Sequence, residues 1–328
     1  MTTGALRGEK VLILGGLGFI GSNLAAACLQ QGAAVTIYDS LHPRAGGNVA
    51  NIADIMGDVA VIRDDIRHAD GVSAALRGAQ VIFNCVALTS HPDSMQHPHE
   101  NIDVNCGGLV TVLEAMRQTS PEAKFVQVGT STQIGKMQQT PIDETHPEFP
   151  LDMYSANKSA GEKYTLLYGR AYGLRTTVVR LANTFGPRAC IRTPEFGFVN
   201  YFIGLALQGN GITVYGNGAQ RRNISYVDDS VAALLLAARR DDADGEVFFA
   251  TADSQTTVRD VAESIADVVG GAVRFVPWPA DRAAIEIGDA VISNRKIRAQ
   301  LAWAPTYTLR EGLEHAREYF LPRLRDYL

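Results

Sequence analysis

Cysteine is scarce in this chain and poorly placed for chemistry. The 328 residues contain four, Cys28, Cys85, Cys106 and Cys190. No two are close in sequence, so there is neither a zinc-ligand spacing nor the framework of a disulfide-stapled secreted domain. Three of them stand in apolar or helix-like surroundings, where a small buried thiol is the ordinary reading. A reduced, cytoplasmic setting is therefore expected. An excess of positive charge is missing too. Thirty Lys and Arg face 35 Asp and Glu, a net charge of −5. That balance gives no electrostatic ground for a nucleic acid or an anionic membrane as partner. No apolar run is long enough to span a bilayer, and the opening MTTGALRGEK lacks an apolar secretory core. The chain shows no internal repeat and no low-complexity tract.

What is present is ordinary globular composition, 46% hydrophobic and 20% charged, with a regular alternation of short apolar runs and helix-like segments. Strands are expected at Val11–Leu14, Ala34–Tyr38, Val59–Arg63, Val81–Cys85, Lys124–Val128 and Thr176–Arg180. Helices are expected at Gly21–Gln31, Asp70–Leu76, Val104–Gln118 and Asp152–Tyr172. Alternation at this rhythm implies right-handed crossovers and an α/β fold, a doubly wound parallel sheet of Rossmann type with helices on both faces. After Arg180 the texture changes: ANTFGPRACIRTPEFGF is loop-like and rich in Gly, Pro and Arg, a short strand is expected at Thr213–Tyr215 and another at EVFFAT, and helices at SVAALLLAARR, TVRDVAESIADVVGG and the closing TLREGLEHAREYFLPRLRDY. The expected organisation is a dinucleotide-binding domain over 8–182, with 224–252 returning to it. A smaller, interleaved C-terminal substrate-binding domain then comprises 183–223 and 253–328.

The glycines cluster where such a fold needs them. VLILGGLGFIG places a strand, then Gly15, Gly16, Gly18 and Gly21, then a helix. Glycine at a helix start is costly, so a run of them implies a close approach to the backbone. In the dinucleotide pattern the first glycines form the turn. Gly18 admits a pyrophosphate to the amides of the helix terminus, with Phe19 and Ile20 beside it, and Gly21 lets helix and sheet pack closely. Asp39, closing the second strand, can accept both hydroxyls of an adenosine ribose and would repel a 2′-phosphate. NAD is thus expected over NADP, with Arg44 the nearby residue that could argue otherwise.

A second stretch, LDMYSANKSAGEKY, sets Tyr154 and Lys158 four apart on one helix face. Taken alone, such a pair is commonplace on exposed helices. Upstream, the strand KFVQV runs into Gly129, Thr130, Ser131 and Thr132, which puts hydroxyls at the carboxyl edge of the sheet, where ligands bind in open α/β folds. A phenol of ordinary pKa near 10 needs roughly 4 kcal/mol of help to work near pH 7. One ammonium about 4 Å away, at an effective dielectric near 20, supplies a comparable amount. Lys158 is accordingly expected to lower the pKa of Tyr154.

In order along the chain, GGLGFIG, GTSTQIG, YSANK, RLANTFGPR and VYGNGAQRRNISYVDD resemble the motifs of the extended short-chain dehydrogenase/reductases, in the nucleotide-sugar epimerase/dehydratase branch. The resemblance runs from Val11 to the final helix. It implies Tyr154 as acid and base, Lys158 as its partner and Thr130 as the hydroxyl sharing the proton. It implies Asp65 and Ile66 near the adenine, with Ala87 and Asn105 farther along the cofactor. For a nucleotide-sugar substrate it implies Thr130, Thr132, Asn183, Arg222 on the diphosphate, and Val214 and Tyr215 beside the base. No metal is implied. The helices Val104–Gln118 and Asp152–Tyr172 resemble those that pair in the family's homodimers.

Departures from the pattern narrow the reaction. Dehydratases of the family carry an acidic pair after the threonine, where Ser131 and Thr132 stand here. Water elimination needs a general acid and a base, so epimerisation is the first expectation. A dehydratase, a ketoreductase or dehydrogenase on the same scaffold, and a non-catalytic dinucleotide-binding protein are the alternatives. Phe249 and Thr251 replace the usual Asn and Gly, and Glu286 falls where many members offer a second phosphate-binding arginine.

Overall fold

The computed structural model describes residues 6–279 and 287–328; Glu286 lies outside them. The strands are β1 (Lys10–Leu14), β2 (Ala34–Tyr38), β3 (Val59–Ile62), β4 (Val81–Asn84), β5 (Lys124–Thr130), β6 (Arg175–Leu181), β7 (Asn183–Phe185), β8 (Ile212–Tyr215), β9 (Arg221–Tyr226), β10 (Val247–Ala250), β11 (Gln255–Thr257) and β12 (Val273–Val276). Seven of them form one sheet in the order β10-β6-β5-β4-β1-β2-β3, with every neighbouring pair parallel. The chain runs outward from β1 to β3, then crosses back to β4 and runs outward the other way. That reversal between β1 and β4 opens a crevice at the carboxyl ends of the strands.

Both faces of the sheet are covered, which is why its strands read as continuous apolar runs. Along β1 alternate residues serve opposite layers. Val11 and Ile13 join the layer of α1 (Phe19–Gln30) and the later helix Val227–Arg239, while Leu12 and Leu14 meet α2 (Ala69–Leu76) and the helix Leu109–Thr119. Between β4 and that last helix lie two short helices, α3 (His91–Gln96) and α4 (Pro98–Ile102), then a wide π-helical turn at Asp103–Gly108; α5 is Leu109–Thr119. The sequence pattern contains no periodic stretch long enough to announce α3 or α4.

The stretch ANTFGPRACIRTPEFGF, loop-like in sequence, contains the strand β7. β7 runs parallel to β9, pairing Asn183 with Ile224 and Phe185 with Tyr226, and β11 closes that small sheet from the other side. β8 and β12 form a second small pair. A three-residue strand of mixed polarity carries no readable period, so only the pairing reveals it.

The longest helix, α6 (Met153–Tyr172), starts at Asp152, whose carboxylate accepts from Ser155 N–H at 2.8 Å, and stops at Gly173 in the left-handed conformation. Its buried face is polar: Tyr154, Lys158, Glu162 and Thr165 all point away from solvent. Buried polar groups need partners. Arg180 of β6 gives Glu162 two hydrogen bonds, at 2.7 and 2.6 Å, and a third at 2.6 Å to Glu148. Gln133 donates to both carboxylates at 3.1 Å. Phe249 offers its ring to the Arg180 guanidinium at 5.1 Å, a use for an aromatic side chain at that position. This knot ties the loop after Thr130 to α6 and to the sheet. Both partners of the Arg180–Glu162 pair are 3% exposed, so Glu162→Ala, which leaves the buried guanidinium only its bond to Glu148, should cost about 1–3 kcal/mol in urea unfolding; a loss well under 1 kcal/mol would show the pair to be a passive neighbour.

Candidate active site

A cleft of about 480 Å³ lies over the carboxyl ends of the sheet, lined from the glycine loop at one end to Thr130, Tyr154 and Asn183 at the other. Gly15 adopts φ +77°, and a Cβ on Gly21 would lie 2.3 Å from the Gly15 carbonyl oxygen. Only glycine permits that approach of helix to turn. The residue capping α1 is Gly18, with no side chain to occupy the first-turn amides. Those amides are therefore open to an anion such as a pyrophosphate. Phe19 and Ile20 complete this end of the cleft.

Asp39 accepts from Leu17 N–H at 2.9 Å through one oxygen and from Leu41 N–H at 2.8 Å through the other. Burial pushes its carboxyl up, while those amides pull the other way. Each oxygen retains acceptor capacity for a hydroxyl. Arg44 is turned to other work, paired with Glu100 and with Asp93, and so does not offer itself to a 2′-phosphate. Asp65 and Ile66 line the same end, and the Arg67 guanidinium, bonded to Asp65 at 2.8 Å, holds that carboxyl below its usual range. Ala87 is on the wall. Asn105 stands behind it: its amide accepts from Leu88 N–H at 2.9 Å and donates to Leu88 O at 3.1 Å. Its side chain thus holds the loop after β4 in place rather than facing the cleft.

At the other end Thr130, Thr132, Tyr154 and Lys158 share one wall. Lys158 donates to the Val128 carbonyl at 2.6 Å, which fixes its ammonium beside the sheet edge. The electrostatics of the protein groups differ from the expectation that the lysine lowers the phenol. Burial drives Tyr154 up to about 12, with Asp152 adding to the rise and a hydrogen bond with Thr130 opposing it. Burial likewise drives Lys158 down to about 8 against small contributions from Cys85 and Glu162. Desolvation disfavours the charged form of each and is the largest cause of both shifts.

Of the expected substrate residues, Asn183 is on the cleft wall, donating at 3.4 Å to Asn223 O. Val214 is buried in the core, Tyr215 stacks on Trp278 at 5.4 Å between centroids, and Arg222 donates to the carbonyls of Arg221 and Gly288. None of these three lies among the described residues lining the cleft. Several unexpected residues do. His91 meets the Tyr154 ring edge-on at 5.2 Å, and its Nδ1 is 2.7 Å from Asp152. Pro194–Val199 forms a strap whose Phe196 packs over Gly46. No motif signals a histidine and a carboxylate 61 positions apart. Among the described residues no group of His, Cys, Asp and Glu could hold a metal, and no helix is long and apolar enough to cross a membrane.

A glycine turn with open helix amides, a buried carboxylate at the end of β2 and a Thr–Tyr–Lys wall share one crevice of a Rossmann-type sheet. Comparison with known proteins gives its family: residues 11–249 match the model of the NAD dependent epimerase/dehydratase family, and the chain belongs to it. It is 30% identical to the UDP-glucose 4-epimerase of Mycolicibacterium smegmatis, covering 95% of this chain and 98% of that one. It is 29% identical to the dTDP-glucose 4,6-dehydratase of Streptomyces niveus, covering 95% and 92%. The crystal structure of the Thermus thermophilus UDP-glucose 4-epimerase in complex with NAD superimposes with a TM-score of 0.84 at 30% identity, over 95% and 99% of the two chains. The cofactor is NAD, as the family description states and as the glycine loop and Asp39 fit.

The displaced pKa of Lys158 has a consequence for stability. An unfolded lysine stays charged up to about 10.5, whereas the folded one loses its proton near 8. The unfolded chain thus binds more protons between those values, and folding gains as pH rises through that window. Urea unfolding of wild type should therefore improve relative to Lys158→Met between pH 8 and 10, and a constant difference would contradict the buried amine.

Proposed function

We propose that this protein is an NAD-dependent epimerase of a nucleotide-activated sugar, working through a keto intermediate. The observation behind this reading is the meeting of Thr130, Tyr154 and Lys158 on one wall of the cleft, with hydroxyls rather than carboxylates at positions 131 and 132. Bound NAD supplies a hydride acceptor that can give the hydride back. The chain does the rest. The amides at the start of α1 hold the pyrophosphate, and Asp39 holds the ribose. Tyr154 takes the proton from the sugar hydroxyl being oxidised and returns it to the same oxygen, while Thr130 shares that proton through its hydrogen bond to the phenol. Lys158, fixed on the Val128 carbonyl, steadies the phenolate as it forms. Between the two proton transfers the keto sugar turns its other face. Asn183 and Arg222 are the proposed diphosphate contacts, and Val214 and Tyr215 the segment beside the base.

A relative that removes water stands at nearly the same identity as one that inverts a carbon. Position 131–132 is what favours epimerisation, because elimination needs an acid for the leaving hydroxyl and a base for the adjacent carbon. On the described cleft wall the carboxylates are Asp39, Asp64, Asp65 and the strap residue Glu195, none of them in the Thr130–Thr132 segment. A net dehydrogenase or ketoreductase uses the same three residues and differs in releasing its cofactor each cycle. Protein purified with NAD bound, turning over a nucleotide sugar with no net absorbance change at the reduced-cofactor band, is the expected result. Tyr154→Phe should keep cofactor binding and lose about 10²–10⁴-fold in kcat; turnover like wild type would remove Tyr154 from the chemistry.

We further propose a homodimer formed through α5 and α6, in the cytoplasm, a setting that fits four unpaired thiols. Leu167 and Tyr172 on α6 are each 54% exposed, and Ile102 at the end of α4 is 39% exposed. Together they give that side an apolar surface of the kind a symmetric interface covers. Leu167→Glu should shift light-scattering mass from two chains to one, and a wild-type chain that is already single at micromolar concentration would refute the interface.

A further inference from the structure

Beside the phenol stands an acid–base pair that the proposed transfers do not use. His91 lines the cleft, and its ring meets that of Tyr154 edge-on at 5.2 Å between centroids. Its Nδ1 is 2.7 Å from Asp152 Oδ2. The other oxygen of Asp152 accepts from Ser155 N–H at 2.8 Å, as the cap of α6. Burial works against the ionised carboxyl, yet its bonds to His91 and Ser155 hold it below its ordinary range. An ionised carboxylate can only accept. Nδ1 therefore carries the proton of this contact, and the lone pair of the neutral ring is on Nε2. Nε2 has no hydrogen-bond partner among the described residues.

Both members of the pair are pinned. His91 opens α3, where its carbonyl accepts from Ser94 Oγ at 2.7 Å and Ser90 Oγ accepts from Asp93 N–H at 3.2 Å. Asp152 is held by the first turn of α6, one residue from the start of the helix that carries Tyr154 and Lys158. Thr89, two residues before the imidazole, lines the cleft as well. An imidazole with one nitrogen on a carboxylate and the other bare is an oriented general base. Moving the proton of a hydroxyl takes one such group, and Tyr154 already fills that role.

From this surplus we propose that His91, oriented by Asp152, is a second acid–base group of the site and moves a proton at the carbon next to the one oxidised. The proposal rests on the keto-intermediate reading. Once a sugar carbon has given up its hydride, the carbonyl makes the neighbouring C–H acidic. His91 Nε2 takes that proton. The C–H electron pair forms a C=C bond, and the carbonyl π pair moves to oxygen, which receives the proton that Tyr154 gained in the first step. The imidazolium is balanced by the Asp152 carboxylate. In reverse, His91 returns a proton to carbon, Tyr154 recovers its own, and the borrowed hydride goes back, so no further oxidant or reductant is consumed. The His91 side chain is 44% exposed, so the proton it returns has exchanged with water. Return on the same face gives exchange, and return on the opposite face gives inversion. Inverting the oxidised carbon alone leaves every carbon-bound hydrogen in place.

The test is turnover of the NAD-loaded protein in heavy water with UDP-, dTDP- and CDP-linked hexoses. The transient reduced-cofactor band reports the keto step, and mass spectrometry of the recovered sugar reports carbon-bound deuterium. A sugar that reduces the cofactor should come back deuterated at one carbon. His91→Phe keeps a ring against Tyr154. Asp152→Asn keeps a cap for α6 but turns an amide towards Nδ1, which favours the wrong tautomer. Each should lower the deuterium gained per cofactor reduced by about tenfold or more, and either one suffices if the other does not fold. Cofactor reduction by wild type without carbon-bound deuterium overturns the proposal and leaves the epimerase reading standing. A raised KM with undiminished label in His91→Phe makes the imidazole a binding group and overturns it equally. No reduced cofactor with any of these sugars removes the keto-intermediate reading, and this proposal with it.

Discussion

The site depends on a polar stripe laid face-down on a parallel sheet. Burying Tyr154, Lys158 and Glu162 along one side of α6 would be prohibitive without partners, and each partner is a fixed part of the fold. Val128 O receives the ammonium, Arg180 grips the carboxylate, and Thr130 meets the phenol. Because Glu148 and Gln133 join the same knot, the loop carrying Thr130 and Thr132 cannot drift from the helix carrying Tyr154. Catalytic geometry and helix docking are one set of contacts.

The desolvation that makes those contacts strong also sets the acid–base state of the chain. Burial pushes the Tyr154 phenol up to about 12 and brings the Lys158 amine down to about 8. The same burial leaves Cys85, on the cleft wall, with a thiol pushed up to about 12, a group unsuited to nucleophilic work.

Much of this was legible in the residues. The alternation of apolar runs and helix-like segments foretold a doubly wound sheet, and GGLGFIG foretold the tight strand–helix turn, because close backbone approach leaves glycine no substitute. Tyr154 and Lys158 were visible as a helical pair, but their shifted acidities were not, since burial is a property of what packs above them. The Asp152–His91 contact joins α3 to the start of α6 across a long sequence gap, and no local spacing encodes it. Arg222, Tyr215 and Val214 show the opposite case. Their motif was plain, yet their side chains are engaged within the small sheets and loops of the second half, away from the described cleft wall.

The Asp39 carboxylate is already committed to the backbone, and that commitment limits how this position can change. The oxygens that would read an adenosine ribose also hold the backbone at Leu17 and Leu41, on either side of the strand end. A mutation toward a phosphorylated coenzyme must discard the acid, and with it the clasp that shapes the glycine turn. Coenzyme preference is thus frozen by architecture, and drift away from it would have to begin with a replacement clasp elsewhere.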